Sequence, residues 1–108
     1  ERLNELYRSY HPAVLRVLRR IAAGVGDHLD ELSVCGDSAA DPVMLPFLLG
    51  IGIRKLSVSP SRIPELRRRI RSYTVAETEE IRDQMLAIKN NREMEAYLEK
   101  MRRTTATA

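Results

Sequence analysis

The sequence predicts an α/β fold built on one βαβ unit, a slice of an α/β barrel or a doubly wound sheet. Three observations predict it. Two short, partly β-branched segments, near 31–35 and 55–59, are bounded by turn residues. An apolar helical pattern lies between them, long enough to cross over and return the second strand parallel to the first, in the right-handed sense. Further helical patterns precede and follow the unit, giving the order α-β-α-β-α-α-α. Two strands make a poor sheet alone, so the unit reads as part of a larger one.

Each element has its own warrant. Residues 4–10 read as a short helical turn. His11-Pro12 restarts the chain, because Pro suits the first position of a helix. Val14, Leu15, Val17, Leu18 and Ile21 then recur at helical spacing, with Arg16, Arg19 and Arg20 opposite. Gly24 and Gly26 end that helix, and residues 27–30 read as a polar connection. After the first strand, Asp41 is placed to cap the next helix, with Pro42 in its first turn. Val43, Met44, Leu45, Phe47, Leu48 and Leu49 make that helix apolar nearly all round, which predicts deep packing. Gly50-Ile51-Gly52 closes it.

Three C-terminal helices are predicted over 64–103. Residues 60–63 read as a loop, and Pro64 opens the first helix, with Leu66 and Ile70 inward and Arg67, Arg68, Arg69 and Arg71 around them. Thr74-Val75-Ala76-Glu77 is a capping-box sequence, and the helix after it carries Ile81, Met85, Leu86 and Ile88. Asn91 is placed to cap the last helix, which bears Met94, Tyr97, Leu98 and Met101, with fraying expected from Thr104. The methionines follow helical spacing, so core packing is their default reading.

Composition narrows the function classes. The 108 residues make at most one small domain. With 31% charged residues and no apolar run near the ~20 residues that a bilayer requires, a membrane span is excluded. The net charge of +3 is modest, and one Phe, four Tyr and no Trp leave little of the aromatic and basic interleaving used on single strands. Neither a nucleic acid nor a membrane is expected as a partner. One cysteine rules out an internal disulfide and fits a reducing, cytoplasmic setting.

That cysteine, Cys35, stands at a strand end before a tight turn and a helix start, a place where α/β folds do chemistry. Thiols ordinarily titrate near ~8.5, so at neutral pH a thiol is mostly protonated yet able to give up its proton. A free cysteine is also commonly a small buried hydrophobe. Gly36 lets backbone approach a ligand closely. Ser57 and Ser59 share one face of the second strand by alternation. A redox role ranks low, because no second cysteine is present to resolve a sulfenic acid.

Cys35-Gly36-Asp37-Ser38-Ala39-Ala40-Asp41-Pro42 resembles the Cys-Gly-Glu-x-Ala/Gly-x-Asp-Pro signature of phosphoenolpyruvate-utilising enzymes. His11-Pro12-Ala13-Val14-Leu15-Arg16 is similar to the helix start that precedes it in the phosphoenolpyruvate–protein phosphotransferases of the bacterial sugar phosphotransferase system. Leu48-Leu49-Gly50-Ile51-Gly52-Ile53, Leu56-Ser57-Val58-Ser59 and Ile63-Pro64 resemble that family's Leu-Gly-Leu-Gly, Phe-Ser-Met-Ser and Ile-Pro landmarks. The resemblance runs from about Leu6 to Leu86. It implies that residues 1–108 are a C-terminal fragment of a (β/α)8 barrel domain, holding its last two strands and about five helices.

The resemblance also implies a role for the cysteine. The family moves the phosphoryl group of phosphoenolpyruvate to a histidine on a separate domain. Its signature cysteine then protonates C3 of the enolpyruvate, giving pyruvate. By that correspondence Cys35 is the general acid, and Gly36, Asp37, Ser57 and Ser59 are candidates for binding or orienting substrate. Asp37 stands where the family has Glu, so the shorter carboxylate would sit differently. The family's Mg2+-binding carboxylates, phosphate-binding arginines and phosphorylated histidine are expected upstream of Glu1, since neither His11 nor His28 matches the phosphorylation motif. No metal ligand is therefore expected in this chain, and the isolated polypeptide is expected to be inactive. The implied partners are phosphoenolpyruvate and pyruvate, a phosphocarrier protein met through upstream domains, and a second copy in a homodimer. A pyruvate phosphate dikinase or phosphoenolpyruvate synthase segment is the near alternative, sharing the cysteine loop. A non-catalytic dimerisation or interaction module is the distant one.

Overall fold

The computed structural model describes residues 10–35 and 41–107, the side chains of 105–107 excepted. The turn expected at 4–10, apart from Tyr10, lies outside these residues, as do Gly36 and Asp37.

Helix α1 (Pro12–Gly24) begins as its sequence requires. Pro12 occupies the first turn, and Nδ1 of His11 accepts a hydrogen bond from the Ala13 amide at 3.1 Å. Its apolar stripe is narrower than the spacing predicts. Leu15 and Ala22 are buried and Leu18 half-buried, whereas Val14, Val17 and Ile21 face outward. Leu15, Leu18 and Ala22, at i, i+3 and i+7, reach the core, and Ala22 rather than Ile21 is the buried residue of the last turn. Gly26, with φ of +52°, turns the chain out of the helix in the left-handed region. The expected polar connection coils instead into a 3₁₀ helix, Gly26–Glu31, which lets Leu29 pack against the core.

Strands β1 (Ser33–Cys35) and β2 (Lys55–Ser57) pair in parallel, Ser33 opposite Lys55, Val34 opposite Leu56 and Cys35 opposite Ser57. Both are shorter than the sequence suggests. Val58 and Ser59 leave the sheet because Pro60 has no N–H for the ladder and holds Ser59 in an extended conformation, φ −59° and ψ 140°. Residues 60–62, expected as loop, form a second 3₁₀ turn, Pro60–Arg62.

The crossover helix α2 (Met44–Gly50) is the centre of the core. Met44, Leu45, Phe47 and Leu48 are buried, as the apolar run predicts. Its C-terminus is a Schellman motif: the Ile53 amide donates to Leu48 O at 3.0 Å and the Gly52 amide to Leu49 O at 3.1 Å, with Gly52 at φ +102°. Leu48 and Ile53, the two residues that such a motif brings into apolar contact, are both buried.

Three helices complete the described chain: α3 (Ile63–Arg71), α4 (Val75–Leu86) and α5 (Asn91–Thr107). Thr74 and Glu77 form the expected capping box, each accepting the other's amide at 3.1 Å. The cap of α5 is Asn90 rather than Asn91: its side chain accepts the Glu93 amide at 2.9 Å. The last helix also continues through Thr107, past the expected fraying point. Met85, Met94 and Leu98 close the core over Phe47 and Tyr10. Arg67, Arg68 and Arg71 lie exposed along α3, and Arg69 pairs with Glu65 at 2.7 Å.

Candidate functional site

The two strands set the site. Val34 and Leu56, at the middle pair, are half-buried and pack against the helical core. Alternation therefore sends the pairs Ser33–Lys55 and Cys35–Ser57 to the opposite, exposed face. Cys35 and Ser57 are neighbours at the C-terminal ends of parallel strands, where crossovers leave room for a ligand. The Cys35 thiol is free and exposed in this chain.

The other sequence candidates separate. Ser59 is exposed but has left the strand, so it no longer shares a pleat with Ser57. Gly36 and Asp37 lie outside the described residues. His11 is an exposed helix cap, and His28 sits on the 3₁₀ helix, 3.3 Å from Glu31. A cavity of about 170 Å³ lined by Leu49, Ile70, Tyr73 and Thr78 among others includes neither Cys35 nor Ser57.

Asp41 does more than the expected helix cap. One carboxylate oxygen accepts the Val43 amide at 2.9 Å and the Tyr10 hydroxyl at 2.6 Å. The other accepts from Arg102 of α5 at 3.3 Å. Sequence reasoning missed Tyr10 and Arg102, which stand 31 positions before and 61 after Asp41 and belong to no local motif. Burial first, and then the neighbouring Asp41 carboxylate, push the Tyr10 hydroxyl far above its ordinary value, so it stays a donor throughout the working range of pH. Burial likewise raises Tyr97 to about 12.

Among the described residues no group of three or more His, Cys, Asp or Glu side chains gathers where a metal ion could sit. Asp41, the carboxylate nearest in sequence after Cys35 among them, has both oxygens taken. The described residues do not form a site for the Mg2+ that the resemblance implies for the parent enzyme. Among the same residues no helix is long and apolar enough to cross a membrane.

Residues 1–75 match the family of the PEP-utilising enzyme, PEP-binding domain. The chain belongs to that family. Its relatives include the phosphoenolpyruvate-protein phosphotransferase of Borreliella burgdorferi, 32% identical over 93% of this chain and 18% of the relative. That of Bacillus subtilis is 29% identical over 91% of the chain and 17% of the relative. A multiphosphoryl transfer protein of Xanthomonas campestris is 36% identical over 72% of the chain and 9% of its own length. The chain thus spans less than a fifth of the relatives that it matches. The two parallel strands, with helices packed on one face, are those of a mixed α/β piece of the family's barrel.

Proposed function

We propose that these residues form one wall of the phosphoenolpyruvate site of a phosphoenolpyruvate–protein phosphotransferase, with Cys35 as the proton donor. The observation that carries the reading is the pairing of an exposed Cys35 with Ser57 at the C-terminal ends of parallel strands, on the face turned away from the helices. In a closed barrel that face lines the interior, and its C-terminal rim is where substrates bind.

The chemistry is a displacement followed by a protonation. The bond from phosphorus to the enol oxygen breaks, its electron pair stays on oxygen, and the phosphoryl group goes to a histidine nitrogen outside this chain. The oxygen pair then re-forms a carbonyl at C2, and the C2–C3 π electrons take the proton of the Cys35 Sγ. Pyruvate and a thiolate result, and solvent returns a proton to the thiolate. Ser57, paired with Cys35, is the residue proposed to hydrogen-bond the substrate; Gly36, Asp37 and Ser59 are candidates through the resemblance alone. By the resemblance the phosphoryl acceptor and metal ligands belong to other parts of the enzyme, so residues 1–108 alone are expected to form no pyruvate from phosphoenolpyruvate. Residues 1–108 then stand as the C-terminal part of the barrel domain, and the phosphocarrier protein meets other parts of the enzyme.

Turnover of the whole enzyme tests this. Cys35→Ala is expected to lower kcat by roughly 10²–10⁴-fold, the usual worth of a general acid, while oligomeric state is kept. Unchanged kcat would overturn the reading. A second reading, an assembly surface, draws on the outward Val14, Val17 and Ile21, which are 41%, 54% and 47% exposed along one face of α1. It expects a homodimer by light scattering, and a strict monomer at high concentration would count against it.

A further inference from the structure

The cavity of about 170 Å³ lies at the opposite end of the strands from Cys35 and Ser57. Arg54, which lines it, stands immediately before β2, whereas Ser57 ends that strand. Three helices and a turn supply the apolar walls. Leu49 of α2, Ile70 of α3 and Val75 of α4 are aliphatic, and Tyr73 adds a half-buried ring. The threonine hydroxyls on these walls are already engaged. Thr78 donates to Val75 O at 2.7 Å, and the Thr74 hydroxyl accepts the Glu77 amide at 3.1 Å. Burial raises the Tyr73 hydroxyl above its ordinary value, so the ring brings no charge at neutral pH.

Arg54 is different. Its Nη1 donates to Leu49 O at 2.8 Å and to Ile53 O at 3.0 Å, at and just after the end of α2. Two bonds to one nitrogen fix the plane of the guanidinium. Nε and Nη2 have no hydrogen-bond partner among the described residues. Their N–H bonds point the same way and form the fork that a carboxylate accepts with both of its oxygens. An apolar lining thus meets one preset cationic fork whose donors are unused. The fork calls for a carboxylate, and the lining calls for an aliphatic body beside it. Water occupies about 30 Å³ per molecule in the liquid, so about 170 Å³ holds about five waters, or one acid of about six carbons.

We propose that this cavity binds a small aliphatic monocarboxylate, with Arg54 Nε and Nη2 on the carboxylate and Leu49, Ile70 and Val75 around the hydrocarbon. It is a second site, separate from the proposed chemistry, and uses no residue of the Cys35–Ser57 rim. Arg54 is exposed, where an ion pair alone is worth little. The affinity therefore needs both the fork and the water displaced from the lining, and a molecule with only one of the two parts binds poorly. Occupancy also stabilises the folded protein, because the ligand touches α2, α3 and α4, which come together only on folding.

Calorimetric titration of the whole enzyme with 4-methylpentanoate tests this. Its amide, 4-methylpentanamide, is the probe without charge, and acetate is the probe without the hydrocarbon body. The expected Kd for 4-methylpentanoate is about 1 mM, and each of the other two binds about tenfold more weakly or worse. Arg54→Lys keeps the charge but loses the fork, and Ile70→Phe puts a ring into the lining. Each is expected to weaken 4-methylpentanoate by about tenfold. Saturating phosphoenolpyruvate is expected to leave its Kd within about twofold, as for two sites that share no residue. Circular dichroism checks that both variants fold, and where one does not, the other variant and the two probes decide. The proposal fails if the acid and its amide bind alike, or if the folded variants bind the acid as the parent does. It fails equally if phosphoenolpyruvate displaces the acid, which then sits in the substrate site, or if about 20 mM acid gives no binding heat.

Discussion

Replacing Gly50 by Ala and Gly24 by Ala gives opposite outcomes from the same chemical change. Both glycines end helices, and neither has a positive φ. At Gly50 a Cβ would lie 2.8 Å from the Arg82 Cβ and 3.0 Å from the Thr78 carbonyl carbon, with the Thr78 carbonyl oxygen nearer still. The obstacle is largely the backbone of α4, which cannot turn aside as a side-chain tip can. Forced separation of well-packed elements costs about 1–3 kcal/mol. Parting α2 from α4 also strains the hydrogen bond from Arg82 to Gly50 O, 2.9 Å long, worth about 1 kcal/mol. Relief of glycine's conformational freedom returns only about 0.5–1 kcal/mol. The net is a loss of about 2 kcal/mol, or about 10 °C in Tm for a domain of this size. At Gly24 nothing lies within 4 Å of the added carbon, so the entropic gain stands alone and stability rises by about 0.5 kcal/mol. Urea and thermal unfolding of the two variants beside the parent measure both. A Gly50→Ala chain as stable as the Gly24→Ala chain would refute the close approach of α2 and α4.

Other outcomes follow from the same packing. Phe47→Ala, at a fully buried site in α2, is expected to cost about 3–5 kcal/mol in equilibrium unfolding. Thr74→Ala removes half of the capping box and should cost about 1 kcal/mol, lost equally in Glu77-substituted backgrounds. Tyr97→Phe deletes a buried hydroxyl with no partner among the described residues and should leave urea stability unchanged or slightly improved. The native chain should lose stability as pH rises from the ordinary tyrosine value of 10.0 toward about 12. In that window the unfolded chain has released tyrosine protons that the folded chain still holds. Phenolate absorbance should show Tyr97 ionising near the upper limit.

Local signals were legible in the sequence to the extent that one residue and its near neighbours decide them. His11-Pro12, the Thr74–Glu77 box and the apolar run of α2 all form as read, because each is settled within a turn of chain. The βαβ unit was legible for the same reason, through strand propensity and crossover length. Departures arise where tertiary packing chooses among local options. Ala22 rather than Ile21 meets the core, Leu29 draws a polar link into a 3₁₀ turn, and Asn90 rather than Asn91 caps α5. The site divides likewise. Cys35 could be placed at a strand end from the turn residues after it, whereas the end of the second strand, expected at Ser59, falls at Ser57 because Pro60 cannot continue the ladder. The joining of Tyr10, Asp41 and Arg102 could not be read, because an ion pair across 61 positions has no periodic signature.

The central claim is that the Cys35 thiol delivers the proton to C3. Quenched-flow measurement on the whole enzyme, with Cys35→Ala beside the parent, tests it most directly by following phosphohistidine and pyruvate in a single turnover. Phosphohistidine is expected to form at close to the parent rate while enzyme-bound pyruvate formation falls by roughly 10²–10⁴-fold. Pyruvate appearing in step with phosphohistidine in Cys35→Ala would contradict it.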